Sequence, residues 1–180
     1  MTTRRDVLKL GAAATLTATL GVRESLAQSS APEPAAPAFF TREEFALVDE
    51  LSEMIIPSDE HSPGARAAKV ASFIDARLAE AFEETEKANW REGLKLVEQM
   101  SRETNGKSFV QSSPDERIAI LTRISQNELK PQTREELFFM ALKARVAHAY
   151  YTSEIGIKQE MKYKGNTYFA EFVGFDVTQK

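Results

Sequence analysis

Three helix start signals constrain this chain more than any other feature. Thr41–Glu44 and Thr133–Glu136 have the capping-box pattern, in which the Thr side chain and the Glu side chain each accept a hydrogen bond from the backbone N–H group of the other residue. Ser113–Glu116 combines a Ser cap with a proline and acidic residues in the first turn of a helix. Apolar residues recur at helical spacing behind each signal. The sequence therefore predicts an all-α fold, a compact bundle of about five helices.

A proline and a glycine predict where two of the helices end, and the apolar spacing predicts which residues form the core. Pro57 ends the first predicted helix, Gly106 ends the third, and the fifth runs from Thr133 to Tyr151. The second helix is predicted around Val70 and the fourth behind Ser113. The predicted apolar faces comprise Phe45, Val48, Leu51, Ile55, Val70, Phe73, Ile74, Leu78, Phe82, Trp90, Leu94, Val97, Ile118, Leu121 and Ile124.

The first 27 residues have the pattern of an export signal. Arg4 and Arg5 stand side by side ahead of an Ala- and Thr-rich apolar stretch, and a small-x-small cleavage pattern ends at Ala27. The apolar stretch is about eleven residues long, too short to cross a bilayer as a helix. Residues 1–27 resemble a twin-arginine signal peptide, which exports folded proteins to the periplasm. The alternative is an ordinary secretory peptide.

The rest of the chain divides into a spacer and one domain. Residues 28–38 contain three prolines and no large apolar side chain, so we expect an extended Pro/Ala-rich spacer. Residues 39–180 have the length of a single helical domain. Within it, residues 152–180 hold several glycines among aromatic residues, which predicts an irregular, aromatic-rich C-terminal tail packed on a surface.

Composition and motif content remove several classes of function. The chain has no cysteine, which excludes disulfides, thiolate chemistry and iron–sulfur ligation. His61 and His148 are the only histidines and lie far apart, so we predict no zinc or di-iron site. The formal net charge of −4 gives no electrostatic reason to bind nucleic acid or anionic lipid. Glycine-rich phosphate loops and nucleophile motifs are also missing, so we predict no catalytic, cofactor-binding or metal-binding residue in this chain.

Four short motifs carry a family resemblance. Residues 51–65 read LSEMIIPSDEHSPGA, residues 73–75 read FID, residues 150–156 read YYTSEIG, and residues 163–165 read YKG. In this order they resemble the gluconate 2-dehydrogenase subunit 3 family, and the similarity spans about residues 40–175. The family often ends near a Gly-Cys pair where this chain has Gly174-Phe175, so any role of a terminal thiol is absent.

The resemblance implies a non-catalytic small subunit of a membrane-associated sugar or sugar-acid dehydrogenase. The large subunit of such complexes is a flavoprotein of the glucose-methanol-choline type that binds FAD, and a cytochrome c subunit commonly takes the electrons onward. The large subunit often lacks its own signal and crosses the membrane bound to the small one. The resemblance thus implies an export chaperone without a cofactor of its own, which meets the membrane only through the complex.

Three of the motifs supply candidate residues for the contact with the large subunit. Tyrosines offer rigid, amphipathic area of the kind found at interface anchors. The candidates are Pro57, Asp59, Pro63, Gly64, Tyr150, Tyr151, Thr152, Ser153, Glu154, Gly156, Tyr163 and Gly165. In the alternative interpretation, the prolines and Asp59 form ordinary turns and the tyrosines pack a helix end against its own tail.

Two other functions remain open at this point. The chain could be a stand-alone secreted enzyme that uses the carboxylates of Asp59, Asp75 and Glu154 on a helical scaffold. It could also be a periplasmic scaffold protein without a redox partner.

Overall fold

The computed structural model describes residues 36–165. Residues 1–35, which hold Arg4, Arg5, Ala27 and most of the spacer, lie outside this range, as does the tail from residue 166 onward, so the predicted signal and spacer stay predictions. The helices are α1 (Arg42–Ile55), α2 (Gly64–Ala67), α3 (Val70–Glu80), α4 (Glu84–Asn105), α5 (Pro114–Ser125) and α6 (Arg134–Tyr151), followed by a π-helical turn (Gly156–Glu160). Residues 36–165 contain no β-strand, which confirms the all-α prediction.

All three predicted start signals are formed as reciprocal capping boxes. Thr41, Ser113 and Thr133 each accept the backbone N–H of the Glu three residues on, and that Glu accepts the N–H of the cap residue. At the other end of α4, Gly106 takes a left-handed conformation with φ of 71°. These contacts confirm three of the predicted helix starts and the predicted end of α4.

The second predicted helix differs from the structure in two ways. The chain forms the short helix α2 before it, and Lys69, at φ of 55°, separates α2 from α3 in the left-handed conformation. Behind α3 the backbone of Ala81 is extended, so Phe82 leaves the helix and its side chain is fully exposed. The prediction of Phe82 as a core residue is therefore wrong.

Five further predicted core positions also differ. On α5, Ile120 and Ile124 are buried while Ile118 is exposed, because the helix packs through the face that Ile120 shares with Ile124. The other four are half-buried at the edge of the core: Phe45, Ile55, Phe73 and Leu121. In the tail, residues 156–160 form a regular π-helical turn where irregular chain was predicted.

Helix α6 is the centre of the bundle. It contacts α1, α3, α4 and α5, and the π-helical turn packs against its end. Its inner residues lie in a single hydrophobic core with Leu47, Ile74 and Trp90 from three other helices. On α4, Gly93 permits this approach, because a Cβ atom there would overlap the ring of Phe138.

Candidate interaction site

Two of the sequence motifs, far apart in the chain, meet in the structure. The hydroxyl groups of Ser62, in the loop before α2, and Tyr150, near the end of α6, lie 2.7 Å apart in a buried hydrogen bond. The Ser62 oxygen also accepts the backbone N–H of Gly64 at 3.2 Å. Sequence reasoning missed Ser62, because its partner lies 88 residues away and no local pattern marks the pair. One polar contact thus ties the loop to the central helix.

The loop itself is held by two carboxylates. One oxygen of Asp59 accepts the backbone N–H groups of His61 and Ser62, both at 2.7 Å. The hydrogen bond from the backbone of His61 lowers the pKa of Asp59 most, and the one from Ser62 lowers it further. The carboxylate of Glu53 accepts the N–H groups of Ser58 and Arg66, on the two sides of the loop. The loop is therefore fixed internally, as the turn interpretation of Asp59 expected.

Gly64, where the loop passes into α2, has no room for a side chain. Its φ is +84°, and a Cβ atom would lie 2.7 Å from a Glu53 carboxylate oxygen. A side chain there would combine an unfavourable backbone conformation with a steric clash. Of the loop candidates, Gly64 is buried, Pro63 is half-buried, and Pro57 and Asp59 are exposed.

The YYTSEIG motif at residues 150–156 forms the end of α6 and the turn behind it. The Thr152 hydroxyl donates to the carbonyl of His148 at 2.7 Å, and the Ser153 hydroxyl donates to that of Tyr150 at 2.6 Å. Ser153 in turn accepts the N–H of Gly156 at 3.0 Å. A Cβ atom on Gly156 would overlap the Tyr150 carbonyl oxygen. Glycine is therefore required where the chain turns back against the helix.

The neighbouring tyrosines of this motif face opposite environments. The side chain of Tyr150 is fully buried, whereas Tyr151 is 45% exposed and Tyr163 is 52% exposed. Tyr150 offers no area to a partner in this conformation, and its expected place at the partner contact is corrected to a place in the core. Thr152, Glu154 and Gly165 are exposed, Ser153 is half-buried and Gly156 is buried.

Burial changes the acidity of Tyr150. The pKa of its phenol is raised mainly by removal from water, while the bond to Ser62 acts in the opposite direction. The negative charge of Glu160 contributes to the rise. The neutral phenol is therefore the form that the folded chain holds.

The FID motif at residues 73–75 places a buried carboxylate under the start of the domain. One oxygen of Asp75 accepts the backbone N–H groups of Phe39 and Phe40, at 3.0 and 2.9 Å, and the other accepts that of Ala38 at 2.6 Å. A buried carboxylate needs such donors to compensate its lost hydration. Asp75 thus anchors the chain where it enters the fold.

The three carboxylates considered for catalysis have three separate sets of partners. Asp75 holds the entering chain, Asp59 closes its own turn, and Glu154 forms an ion pair with Lys158 at 2.7 Å on the surface. The lysine also lowers the pKa of Glu154. These contacts give each carboxylate a structural or solvent-exposed role.

A groove of about 730 Å³ runs between α4 and α6. Trp90, Phe138 and Leu137 line it together with Gly93. Ion pairs join its two walls, since Arg134 bonds Glu92 and Arg145 bonds Glu86.

Within residues 36–165, no group of three or more metal-ligating side chains lies close enough together to hold an ion. None of the helices described there combines the length and the apolar composition that crossing a membrane requires.

Comparison with known proteins adds one finding. No curated protein and no solved structure matches the chain. The family model of gluconate 2-dehydrogenase subunit 3 matches residues 42–167. This segment contains the six α-helices, the Asp75 anchor and both motifs joined by Ser62 and Tyr150. Since the match covers well over half of the chain, the protein belongs to the gluconate 2-dehydrogenase subunit 3 family.

Proposed function

We propose that this chain is the non-catalytic small subunit of a periplasmic, membrane-associated sugar or sugar-acid dehydrogenase. It binds the folded large subunit, a glucose-methanol-choline type flavoprotein with FAD, escorts it through twin-arginine export and stabilises it afterwards. A cytochrome c subunit completes the complex. The observation that carries the proposal is the family match over residues 42–167, because the family is named for the third subunit of a dehydrogenase.

The twin arginines support the export part of the proposal. A twin-arginine signal is useful when a protein must fold and load its cofactor before export. This chain offers no glycine-rich loop for a flavin phosphate, so the cofactor that requires cytoplasmic loading belongs to the partner. The small subunit then supplies the address for both proteins.

The test is to replace Arg4→Lys and Arg5→Lys together in cells that make both subunits. We expect both subunits and the bound FAD to remain in the cytoplasm, because the large subunit has no address of its own. Flavin fluorescence of the purified complex and dehydrogenase activity in the periplasmic fraction provide the measurements.

Arg23→Lys, in the same leader but outside the pair, is the matched control and should leave export unchanged. Periplasmic dehydrogenase activity that persists in the Arg4→Lys, Arg5→Lys double variant would refute the escort role.

A further inference from the structure

Helix α6 has two apolar faces on opposite sides. The inner face is buried against the other helices and consists of Phe138, Phe139, Leu142, Val146, Ala149 and Tyr150. Residues on the opposite side recur at positions i, i+3, i+4, i+7, i+11 and i+14, which lie above one another on a helix. This outer stripe consists of Leu137, Met140, Ala141, Ala144, His148 and Tyr151, all exposed.

The outer stripe is unusual for a helix at the surface. A surface helix normally carries charged and polar residues opposite its core face, and a helix that is apolar all round is normally buried. Leu137, Met140 and Tyr151 are each 42–49% exposed. Other exposed apolar side chains, such as Phe82 and Leu129 in turns, stand singly, which is common on protein surfaces. The stripe therefore indicates a surface that is covered in the working protein.

The charges beside the stripe describe its partner. The stripe contains no Asp, Glu, Lys or Arg, and the imidazole of His148 is its one basic group. Lys143 on one flank bonds Glu128, and Arg134 and Arg145 on the other flank bond Glu92 and Glu86. Each flanking cation is thus neutralised within the chain. The complementary surface is uncharged and apolar, and phosphates of nucleic acid or anionic lipid lack unpaired cations to bind here.

The area of the stripe points to a large protein partner. The stripe extends from Leu137 to Tyr151, about 22 Å along the helix, and a strip about 10 Å wide over this length covers roughly 200 Å². A stable interface needs about 800 Å² on each side. Pairing with the stripe of a second copy would therefore bury too little. The neighbouring groove between α4 and α6 shares Leu137 and Ala141 with the stripe and extends the same surface.

We propose that the outer stripe of α6, continued into the α4–α6 groove, is the docking surface for the flavoprotein subunit, which presents an uncharged apolar element to it. This inference rests on the proposed function and assigns the contact to five residues besides Tyr151. The groove receives the flank of that element over Leu137, while the ion pairs across it join α4 to α6.

The first test uses Ala144→Arg, at the centre of the stripe, in the full chain made together with the large subunit. Arginine is a good helix former and the site is exposed, so the helix tolerates it. We expect the affinity for the large subunit to fall at least about tenfold, the effect of disturbing an interface centre. Ala119→Arg, at an exposed alanine of α5, is the matched control and should change the affinity less than about twofold.

Thermal melts of both variants should match the wild type, which separates docking from folding. If the wild-type chain captures the large subunit and Ala144→Arg captures it equally well, the docking surface is refuted and the proposed function stands. If the wild-type chain captures nothing, both are refuted.

A photo-reactive amino acid at position 144 identifies what covers the stripe. Cross-links to the large subunit in the assembled complex would support the proposal. Cross-links only to a second copy or to residues 166–180 of the same chain, with the large subunit still co-purifying, would overturn the docking surface without touching the proposed function. The same photo-reactive residue at position 119 provides the control.

Discussion

The inner and outer faces of α6 have similar apolar composition and opposite surroundings. The inner face packs against four helices and ends at Tyr150, whose hydroxyl bonds Ser62. The outer face lies on the opposite side of the helix and ends at Tyr151, which is 45% exposed. We propose that the apolar residues of this one helix serve folding on one side and assembly on the other. Substitutions on the inner face should therefore lower the stability of the fold, and substitutions on the outer face should weaken binding of the large subunit.

The largest expected effect is on the inner face, in Tyr150→Ala. This change removes a fully buried ring and its bond to Ser62, so the free energy of unfolding should fall by about 3–5 kcal/mol. Chemical denaturation of the isolated chain measures it. A loss below about 1 kcal/mol would be as small as that of an ordinary surface substitution. It would mean that the inner face of α6 contributes no more to folding stability than the outer face.

The second prediction tests how closely the inner face packs against α4. Gly93→Ala adds a methyl group that overlaps the ring of Phe138. Alanine favours the helix over glycine by about 1 kcal/mol, while overpacking a core costs about 1–3 kcal/mol. The overlap includes Cγ, the first carbon of the Phe138 ring, which cannot swing away as the tip of a flexible side chain can. We therefore expect a net loss of about 1 kcal/mol in the free energy of unfolding.

Ala88→Gly, at an exposed position of the same helix, calibrates the intrinsic helix term of about 1 kcal/mol. A Gly93→Ala chain that is more stable than the wild type would show that the contact between α4 and α6 is loose.

The sequence predicted where several helices begin and end, but it did not show which face of α6 is buried. Capping boxes such as Thr133–Glu136 and the glycine at 106 act through neighbouring backbone groups, so local sequence suffices to predict them. Tyr150 and Tyr151 are adjacent and chemically identical, and on a helix with two apolar faces no periodicity distinguishes them. Only contacts distant in sequence do so.

The same limit applied to Ser62 and Asp75. Ser62 meets Tyr150 across 88 residues, and Asp75 meets the backbone of residues 38–40 across 35–37 residues. Phe82 was wrongly predicted to lie in the core for a related reason. Whether α3 continues as far as residue 82 depends on where α4 begins, and local sequence does not determine that. Motif order nevertheless identified the family, which the match to residues 42–167 confirms.

The third prediction concerns the hydroxyl group on the inner face. Tyr150→Phe keeps the ring but removes the partner of Ser62, so we expect a loss of about 1 kcal/mol in the free energy of unfolding at neutral pH. The pKa of Tyr150 is raised by burial. Its stabilising contribution is therefore present below the usual tyrosine pKa of about 10 and is lost as the pH rises through the folded-state value.

The difference between wild type and Tyr150→Phe should consequently narrow above pH 10. Denaturation curves at neutral and alkaline pH measure both arms of this prediction. A difference that stays constant across this range would show that Tyr150 keeps an ordinary pKa in the folded chain.

The smallest expected effect on stability is on the outer face, in Tyr151→Ala. Its ring stacks edge-on against that of Tyr150 at 5.3 Å between centroids, but nearly half of the side chain already meets water. Truncation should therefore cost the isolated chain only about 0.5–1 kcal/mol of unfolding free energy, the size of one aromatic contact. Capture of the flavoprotein should weaken much more, by about 2 kcal/mol, if Tyr151 is an anchor at the end of the stripe. Melts of the isolated chain set beside affinity measurements give the two numbers. A Tyr151→Ala chain that unfolds as easily as Tyr150→Ala and still binds its partner with full affinity would assign both tyrosines to the core and leave the outer face without a role.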